Sequence, residues 1–354
     1  MSFVRRLVAP ATALTLAFAA VATASPTMAA ELTPAQVAGD TPLATINPSA
    51  RTDVEAPKFR EKIAGREDAR EIWAFSPSMQ RDVPFVIIPA HEENRPTIYL
   101  LNGADGGEGT ANWIMQTDVI DFYREKNVNV VIPMSGELSY YTDWVTEPAR
   151  LGGKQMWETF LTKELPGPIE GYLKANNDRA IIGMSMTGTT SLLYAEHNPG
   201  FYDAVGSFSG CAGTSRGVQV AWVDEVLKRG GMDHTQMWGP LGTPLWHYND
   251  ALINAEKLRG TEVYVSNGSG MSGEYDMLSN PRLNNNSIAQ ANVKILGGAI
   301  EAATNQCTHD LKAKMDQVGV PGDFKFRPTG THSWGYWQED LRTSWPTLER
   351  GFNN

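Results

Sequence analysis

The sequence has only two cysteines, no excess of basic residues and, after its first thirty positions, no long hydrophobic run. Thirty Lys and Arg stand against 40 Asp and Glu, so the formal charge is −10. Binding to nucleic acid requires a basic surface, and an acidic chain without a basic cluster therefore excludes nucleic acid as an expected partner. A composition of 42% hydrophobic and 20% charged residues is typical of a globular protein and excludes wholesale disorder.

Residues 1–30 have the pattern of a secretory signal peptide. Arg5 and Arg6 precede a short, Ala-rich apolar stretch, and the first acidic residue is Glu31. Small residues near the end offer three cleavage positions, after Ala24, Ala29 or Ala30. A retained membrane anchor is the alternative, although the apolar stretch is short for a spanning helix. We therefore expect a secreted protein that acts at the cell envelope, with no transmembrane segment left after cleavage.

Export of the protein affects the expected redox state of its two cysteines, Cys211 and Cys307. An oxidising compartment favours a disulfide bond between them, and two buried free thiols are the alternative. The six histidines are scattered and none has the spacing of a metal site. The sequence therefore predicts no metal and no cofactor.

Short apolar runs alternate with helical patterns along most of the chain. The predicted strands cover residues 96–101, 127–133, 179–183, 203–208, 262–265 and 324–326. Helical spacing occurs over residues 113–125, 155–175, 286–318 and 334–350, and from the end of the third strand to about residue 197. This alternation, with continuously apolar strands, predicts an α/β fold with a mostly parallel sheet and helices on both faces.

Two stretches of the chain lack this alternation of strands and helices, and they indicate the domain organisation. Residues 31–60 are rich in Pro, Thr and Ala and predict a loose N-terminal extension, followed by one catalytic domain over residues 61–354. Residues 212–259 fit the alternation poorly and predict an insertion over the active-site edge of the sheet. The alternative for this stretch is an irregular structural excursion.

Residues 181–188 place a serine in the setting of a nucleophile elbow. An apolar strand runs into Gly183, Ser185 and a small residue, and a helical pattern follows. The strict motif has glycine at the position of Thr187. This pattern predicts Ser185 as a nucleophile at a helix N-terminus, where negative charge is favoured. The alternative is a serine that only caps the helix.

A serine nucleophile requires a base, an acid that orients the base, and donors for an oxyanion. His332 lies between the last strand and the last helix, where the base of such a fold belongs. The loop after the strand at 262–265 offers Glu274 first and Asp276 second as the acid, unless both are solvated loop charges. The N–H groups of Met186 and Ala104 are the predicted oxyanion donors.

With these residues in place, the sequence resembles the secreted mycoloyltransferases of the antigen 85 type, and in particular their corynebacterial branch. The resemblance runs from about residue 96 to residue 337. It rests on the blocks YLLNG (99–103), YTDW (141–144), WETFL (157–161), ELP (164–166), GMSM (183–186), MWGP (237–240), THSW (331–334) and YW (336–337).

The resemblance implies an α/β-hydrolase fold and transfer of a mycoloyl group from trehalose monomycolate to a second trehalose monomycolate or to cell-wall arabinan. It implies Ser185, Glu274 and His332 as the triad. It also implies substrate contacts from a further set of residues: Asn102, Asp105, Trp238, Ser333 and Trp334. The family has Asp and Arg where this chain has Asn102 and Asp105, which bears on acceptor choice. A secreted carboxylesterase and a non-catalytic envelope protein that binds sugar or host matrix are the alternatives.

Overall fold

The computed structural model describes residues 41–353, so the predicted signal peptide lies outside the described residues. These residues form one nine-stranded sheet flanked by helices. The strands are β1 (Thr45–Asn47), β2 (Arg70–Ser76), β3 (Arg81–Ile88), β4 (Thr97–Leu100), β5 (Asn129–Pro133), β6 (Arg179–Met184), β7 (Ala204–Phe208), β8 (Glu262–Asn267) and β9 (Asp323–Phe326). Their order in the sheet is β1-β2-β3-β5-β4-β6-β7-β8-β9.

The six strands from β4 to β9 are mutually parallel, and β1, β2 and β3 extend the sheet in antiparallel fashion. The predicted mostly parallel sheet is therefore confirmed. All six predicted strands are present, with ends that differ from the predicted ones by a few residues at most. Because the carboxyl ends of parallel strands meet at one edge, the loops after β4, β6, β8 and β9 come together there.

The helices pack on both faces of the sheet. They are α1 (Arg60–Ile63), α2 (Trp113–Gln116), α3 (Val119–Lys126), α4 (Trp157–Thr159), α5 (Pro166–Leu173), α6 (Met186–His197), α7 (Val218–Lys228), α8 (His234–Trp238), α9 (Pro244–Tyr248), α10 (Ser287–Asn292), α11 (Gly298–Val318) and α12 (Trp334–Gly351). One apolar layer receives side chains from α5, α6, α7 and α11, and the other from α2, α3 and α12. Within residues 41–353, no helix is both long and apolar enough to cross a membrane.

The central strands are apolar on both sides because both faces of the sheet are covered. In β6, Ile181 packs into one layer and Ile182 into the other, and neither side chain is exposed. This burial explains why the strands appear in the sequence as continuous apolar runs rather than as alternating patterns. The same strand carries the chain directly into residue 185 at the functional edge.

The sequence did not predict the antiparallel part of the sheet. Pro84 interrupts the pattern of β3, where it lies opposite Trp73 of β2. Proline lacks the N–H that a strand interior uses, but its carbonyl still accepts a hydrogen bond from the N–H of Met134. The prediction of a loose extension is wrong for residues 41–60, since β1 pairs with β2 and the Phe59 side chain is buried.

Three long predicted helices are interrupted in the structure. The helix expected over residues 155–175 contains a π-helical turn, Phe160–Glu164, between α4 and α5. The helix expected over residues 113–125 is divided into α2 and α3, because the chain is extended at Thr117. The helix expected over residues 286–318 contains a π-helical turn, Val293–Gly297, between α10 and α11. Residues 212–259 form the crossover from β7 to β8 and contain the short helices α7, α8 and α9.

Glu196 in α6 is a fully buried carboxyl group, and neither of its oxygens has a hydrogen-bond partner among the described residues. Burial raises the pKa of Glu196 well above its ordinary value, although the charge of Lys257 opposes the rise. The folded state therefore retains a proton that the unfolded state releases. As a consequence, this group lowers the free energy of unfolding progressively as the pH rises above about 4.3, the unfolded-state pKa of glutamate.

Glu196→Gln removes this titration while keeping the shape of the side chain. We expect the variant to exceed the wild type in free energy of unfolding by about 1–3 kcal/mol at pH 8, and the gain to shrink towards pH 4.5. Urea denaturation across this range measures the difference. Glu225→Gln, at an exposed position of α7, is the control. A gain that does not depend on pH would contradict the explanation.

Candidate active site

Ser185 lies in a strained turn between β6 and α6. Its φ of 57° and ψ of −122° are unusual for a residue with a side chain and are typical of a nucleophile elbow. A Cβ atom on Gly183 would lie 1.9 Å from the carbonyl oxygen of Thr187, so only glycine fits there. Thr187 itself closes the turn, since its hydroxyl hydrogen-bonds the N–H and the carbonyl of Met184. The departure from the strict motif is therefore compatible with the elbow.

His332 contacts both Ser185 and a glutamate. The distance from His332 Nε2 to Ser185 Oγ is 2.7 Å, and the distance from His332 Nδ1 to Glu301 Oε2 is 2.8 Å. The three side chains come from the turn after β6, the first turn of α11 and the loop after β9. This chain of two hydrogen bonds is the arrangement in which a histidine accepts the proton of a serine while a carboxylate orients the ring.

Glu301 is held by donors on its other oxygen. Its Oε1 accepts hydrogen bonds from the Ser209 hydroxyl, the Asn267 side-chain amide and the N–H of Gly268, at 2.9, 2.9 and 2.6 Å. The glutamate side chain is only 2% exposed. Three donors and the histidine satisfy a carboxylate that burial would otherwise penalise. The indole N–H of Trp337 also donates to Ser209, which extends the network.

The prediction of Glu274 or Asp276 as the acid of the triad is wrong. Neither Glu274 nor Asp276 contacts His332, and Glu301 is the carboxylate against its ring. The acid follows β8, as the chain order predicts, but it lies beyond the first loop after that strand. Glu301 lies in a helix rather than in that loop. The signal that points to it is an isolated acidic residue in the apolar, Gly-rich run at 297–303.

Asp276, the second predicted acid, supports the loop that carries the histidine. Its buried carboxylate accepts hydrogen bonds from the Thr331 hydroxyl at 2.6 Å and the Tyr336 hydroxyl at 2.8 Å, on either side of His332. It also accepts a bond from the N–H of Gly273 at 2.8 Å. The pKa of Tyr336 is raised, first by burial and then by this carboxylate, so the tyrosine remains a donor. Asp276 is thus a candidate positioning residue.

Asp276→Asn replaces one acceptor oxygen with an amide N–H₂ group that faces other donors. We expect kcat to fall about 10- to 100-fold with little change in KM for the acyl donor, because small displacements of a catalytic group cost rate. Steady-state kinetics well below the melting temperature measure this effect. Asp316→Asn, at an exposed position of α11, is the matched control. An unchanged kcat with a lower melting temperature would make the role of Asp276 purely structural.

The loop after β4 runs beside the elbow. The N–H of Leu101 donates to the carbonyl of Ile182, and a Cβ on Gly103 would lie 3.1 Å from the Met184 side chain. Among residues 41–353, no acceptor is paired with the N–H of Ala104 or with that of Met186. Both predicted oxyanion donors are therefore available and stand on segments that approach each other.

The structure divides the predicted substrate contacts into two groups. Asn102 and Trp238 are buried and their polar atoms are paired within the protein: the Asn102 amide with Pro133 and Trp113, and the Trp238 indole with Thr142. The prediction that these two side chains face the substrate is therefore corrected. Their role is packing and loop support.

The other three predicted contacts are partly exposed. Asp105 accepts a bond from the N–H of Gly109, and partial burial raises the pKa of this carboxyl group. Ser333 and Trp334 follow His332 directly, and the Trp334 ring stands edge-on to Trp337. Asp105, Ser333 and Trp334 therefore remain candidate substrate contacts.

The predicted disulfide is confirmed. Cys211 and Cys307 are bonded, with their Cα atoms 5.0 Å apart. Cys211 lies two residues after Ser209 and Cys307 six residues after Glu301. The bond therefore joins two segments that also meet through the hydrogen bond between Ser209 and Glu301.

The parallel sheet, the strained elbow and the serine–histidine–glutamate chain together define a member of the α/β-hydrolase fold with a serine at its functional edge. The predicted fold class is thus confirmed.

A family model described as "Putative esterase" matches residues 76–348. The diacylglycerol acyltransferase/mycolyltransferase Ag85A of Mycobacterium tuberculosis (strain ATCC 25618 / H37Rv) is 32% identical over 285 residues, which cover 78% of this chain and 79% of the relative. The protein of the same name from Mycobacterium leprae is 31% identical over 78% of this chain and 81% of its own.

The chain therefore belongs to this esterase family and, within it, to the antigen 85-type acyltransferases, as the resemblance implied. Solved structures support the fold. The crystal structure of Mycobacterium tuberculosis MPT51 matches with a TM-score of 0.64 and 23% identity, over 78% of this chain and 96% of that one. A fluorophosphonate-binding serine hydrolase of Staphylococcus aureus matches with a TM-score of 0.57 and 14% identity, over 81% and 98% of the two chains.

Proposed function

We propose that this protein transfers a mycoloyl group from trehalose monomycolate to a sugar hydroxyl, on a second trehalose monomycolate or on cell-wall arabinan, outside the cytoplasmic membrane. The observation that carries the proposal is the hydrogen-bonded chain of Ser185, His332 and Glu301 in a member of the mycolyltransferase family. The reaction is acyl transfer through a covalent intermediate on Ser185 and needs no cofactor.

In the first step, His332 Nε2 takes the proton of the Ser185 hydroxyl while Oγ attacks the ester carbonyl. The ring becomes cationic, and the buried Glu301 carboxylate stabilises that charge. The N–H groups of Met186 and Ala104 donate to the oxyanion, and one such donor is worth about 3 kcal/mol in a related reaction. Trehalose leaves as the ester C–O bond breaks, with its oxygen protonated by His332.

In the second step, a hydroxyl of the acceptor sugar loses its proton to His332 and attacks the acyl-enzyme. The Ser185–acyl bond breaks and Oγ recovers the proton from the histidine. Water competes for the same intermediate, so transfer depends on how well the acceptor is bound. Ser333 and Trp334 flank the histidine and are candidate contacts of the sugar.

Exposed apolar side chains beside the histidine support a lipid donor. The carbonyl of Gly297 accepts a hydrogen bond from the N–H of His332 at 3.1 Å, so the π-helical turn lies against the catalytic loop. Large apolar side chains on and near this turn are exposed: Met271 (62%), Ile295 (75%), Leu296 (63%) and Ile300 (38%). Exposed apolar side chains near the catalytic loop favour an acyl chain as the group bound there.

Incubation of the protein with purified trehalose monomycolate, followed by mass spectrometry of the products, tests the proposal. Trehalose dimycolate and free trehalose, absent with Ser185→Ala, are expected. Free mycolic acid as the sole lipid product would instead indicate a secreted carboxylesterase. Absence of turnover, together with no labelling of Ser185 by a serine-reactive phosphonate, would indicate a non-catalytic binding protein.

A further inference from the structure

A polar pocket lies beside the loop that carries Ala104, at the end of the sheet formed by β3 and β5. Its volume is about 180 Å³. Its lining is polar apart from Leu151 and includes Arg81, Glu108, Glu137, Arg150 and Gln155. None of these residues takes part in the proposed acyl-transfer steps.

Arg81 forms the inner wall of the pocket. Its guanidinium lies over the Trp157 ring at 5.3 Å and donates to two neutral oxygens, the Leu151 carbonyl at 3.0 Å and the Gln155 side chain at 3.1 Å. No carboxylate of the described residues lies within ion-pair distance of it. Burial lowers the pKa of Arg81, against the influence of the nearby Glu108 charge. The pocket thus contains a cation with only neutral direct partners.

The outer wall carries charges of both signs. Arg150 pairs with Glu137 at 2.6 Å. One oxygen of Glu108 accepts bonds from the N–H of Gly136 at 2.9 Å and the Ser135 hydroxyl at 3.1 Å. The pocket therefore places guanidinium donors next to carboxylate acceptors, at roughly zero net charge.

The pocket belongs to the same edge of the sheet as Ser185. Strand β5 is separated from β6 by β4 alone, so two strand spacings, about 10 Å, lie between the ends of β5 and β6. The carbonyl of Ala104 accepts a bond from the N–H of Leu138, and a Cβ on Gly106 would lie 2.1 Å from the Glu137 nitrogen. The oxyanion loop and the pocket wall are thus in direct contact.

We propose that this pocket binds one sugar ring of a glycan acceptor or glycolipid head group whose reacting hydroxyl is at Ser185. The inference rests on the proposed function and names a second subsite for it. Vicinal hydroxyls donate to carboxylates and accept from guanidinium groups, and both kinds of group line the pocket. The volume is below the 300 Å³ or so of a drug-sized site and therefore suits a single ring.

Other ligand classes fit the pocket less well. An acyl chain would displace water from two guanidinium and two carboxylate groups without offering them a hydrogen bond, and such desolvation is unfavourable. A phosphate or carboxylate would meet Glu108 and Glu137 as well as the two arginines. A neutral polyhydroxyl group avoids both penalties and matches the hydroxyl-bearing acceptor that the second step requires.

Arg150→Met tests the proposal, because Arg150 is exposed and its loss threatens the fold little. Arg350→Met is the control: Arg350 pairs with Glu262 and Asp323 at the opposite edge of the sheet. The Arg150–Glu137 and Arg350–Glu262 pairs have the same side-chain exposures, 49% and 31%. With a soluble short-chain acyl ester as donor and trehalose as acceptor, we expect KM for trehalose to rise about tenfold in Arg150→Met, as for the loss of one charged hydrogen bond. Glu108→Gln should shift KM in the same direction, and Arg350→Met should leave it unchanged.

Direct binding separates this proposal from the proposed function. Saturation-transfer NMR with trehalose and methyl glucoside, on Ser185→Ala and on Ser185→Ala combined with Arg150→Met, reports sugar binding without turnover. Weaker binding in the double variant supports the pocket even if the wild type transfers nothing to trehalose. The pocket proposal would be overturned if the two Ser185→Ala proteins bound the sugars equally, or if Ser185→Ala bound none. It would also be overturned if Arg150→Met lost ester hydrolysis and transfer to the same extent.

Discussion

Replacing Glu301 by Gln is expected to lower kcat for acyl transfer by about 10³- to 10⁴-fold, whereas Glu274→Gln leaves it nearly unchanged. The Glu301 carboxylate is 2.8 Å from His332 Nδ1 and its side chain is 2% exposed, so its charge acts on the ring with little screening. An amide holds the ring in the wrong tautomer or removes the stabilisation of the imidazolium, and the corresponding change in a serine protease costs about 10⁴-fold.

Comparing Glu301→Gln with Glu274→Gln is informative because both glutamates follow β8 but differ in burial and in contact with His332. Glu274 is exposed and has no contact with His332, whereas Glu301 is buried and contacts it. Steady-state kinetics with a soluble acyl ester measure both, and circular dichroism checks that the fold is intact. A larger loss in Glu274→Gln than in Glu301→Gln would show that the hydrogen bond to His332 is not the catalytic one.

Removing the disulfide with Cys211→Ala and Cys307→Ala is expected to lower the free energy of unfolding by about 4–5 kcal/mol. The bond closes a loop of 96 residues, and in the chain-entropy model its stabilisation increases with the logarithm of loop length. For a domain of this size the loss corresponds to a decrease in melting temperature of about 10 °C. Thermal and urea unfolding measure both quantities.

The same change is expected to reduce activity below the melting temperature. The disulfide ties α11, which carries Glu301, to the segment after β7 that carries Ser209, and these two residues share a hydrogen bond. A thiol reductant serves as the control, since it should affect the wild type and leave the double variant unchanged. Equal stability of the two proteins would mean that packing alone holds these segments together.

Two positions in the loop after β4 differ from the pattern that the family resemblance implies. Asn102 is buried and supports the loop, so its replacement of the family aspartate does not act by direct contact. Asp105 stands where the resemblance implies an arginine in the family, and its carboxylate accepts a hydrogen bond within its own loop. A separate polar pocket with Arg81 and Arg150 supplies guanidinium groups elsewhere at the same edge. The transfer-to-hydrolysis ratio is therefore the property to compare among variants.

Several features of this protein could be predicted from the sequence because they depend on neighbours along the chain. Continuous apolar runs identified the six parallel strands, since burial on both faces removes polar residues from them. The elbow at Ser185 was recognisable because a sharp turn at a strand end requires small residues at fixed offsets, as at Gly183. His332 followed from its place between the last strand and the last helix.

Other features were decided only by the tertiary structure. Glu301 was missed because it reaches His332 from a helix across the sheet edge, and its distance along the chain does not encode that approach. Trp238, which the family resemblance implied as a substrate contact, packs against Trp246 in the interior. The polar pocket is lined by residues from β3 and from two separate loops, so no local sequence pattern predicts it. A buried charge or a pocket is created by segments that meet in space, whereas a turn or a strand is created by residues that are adjacent in the chain.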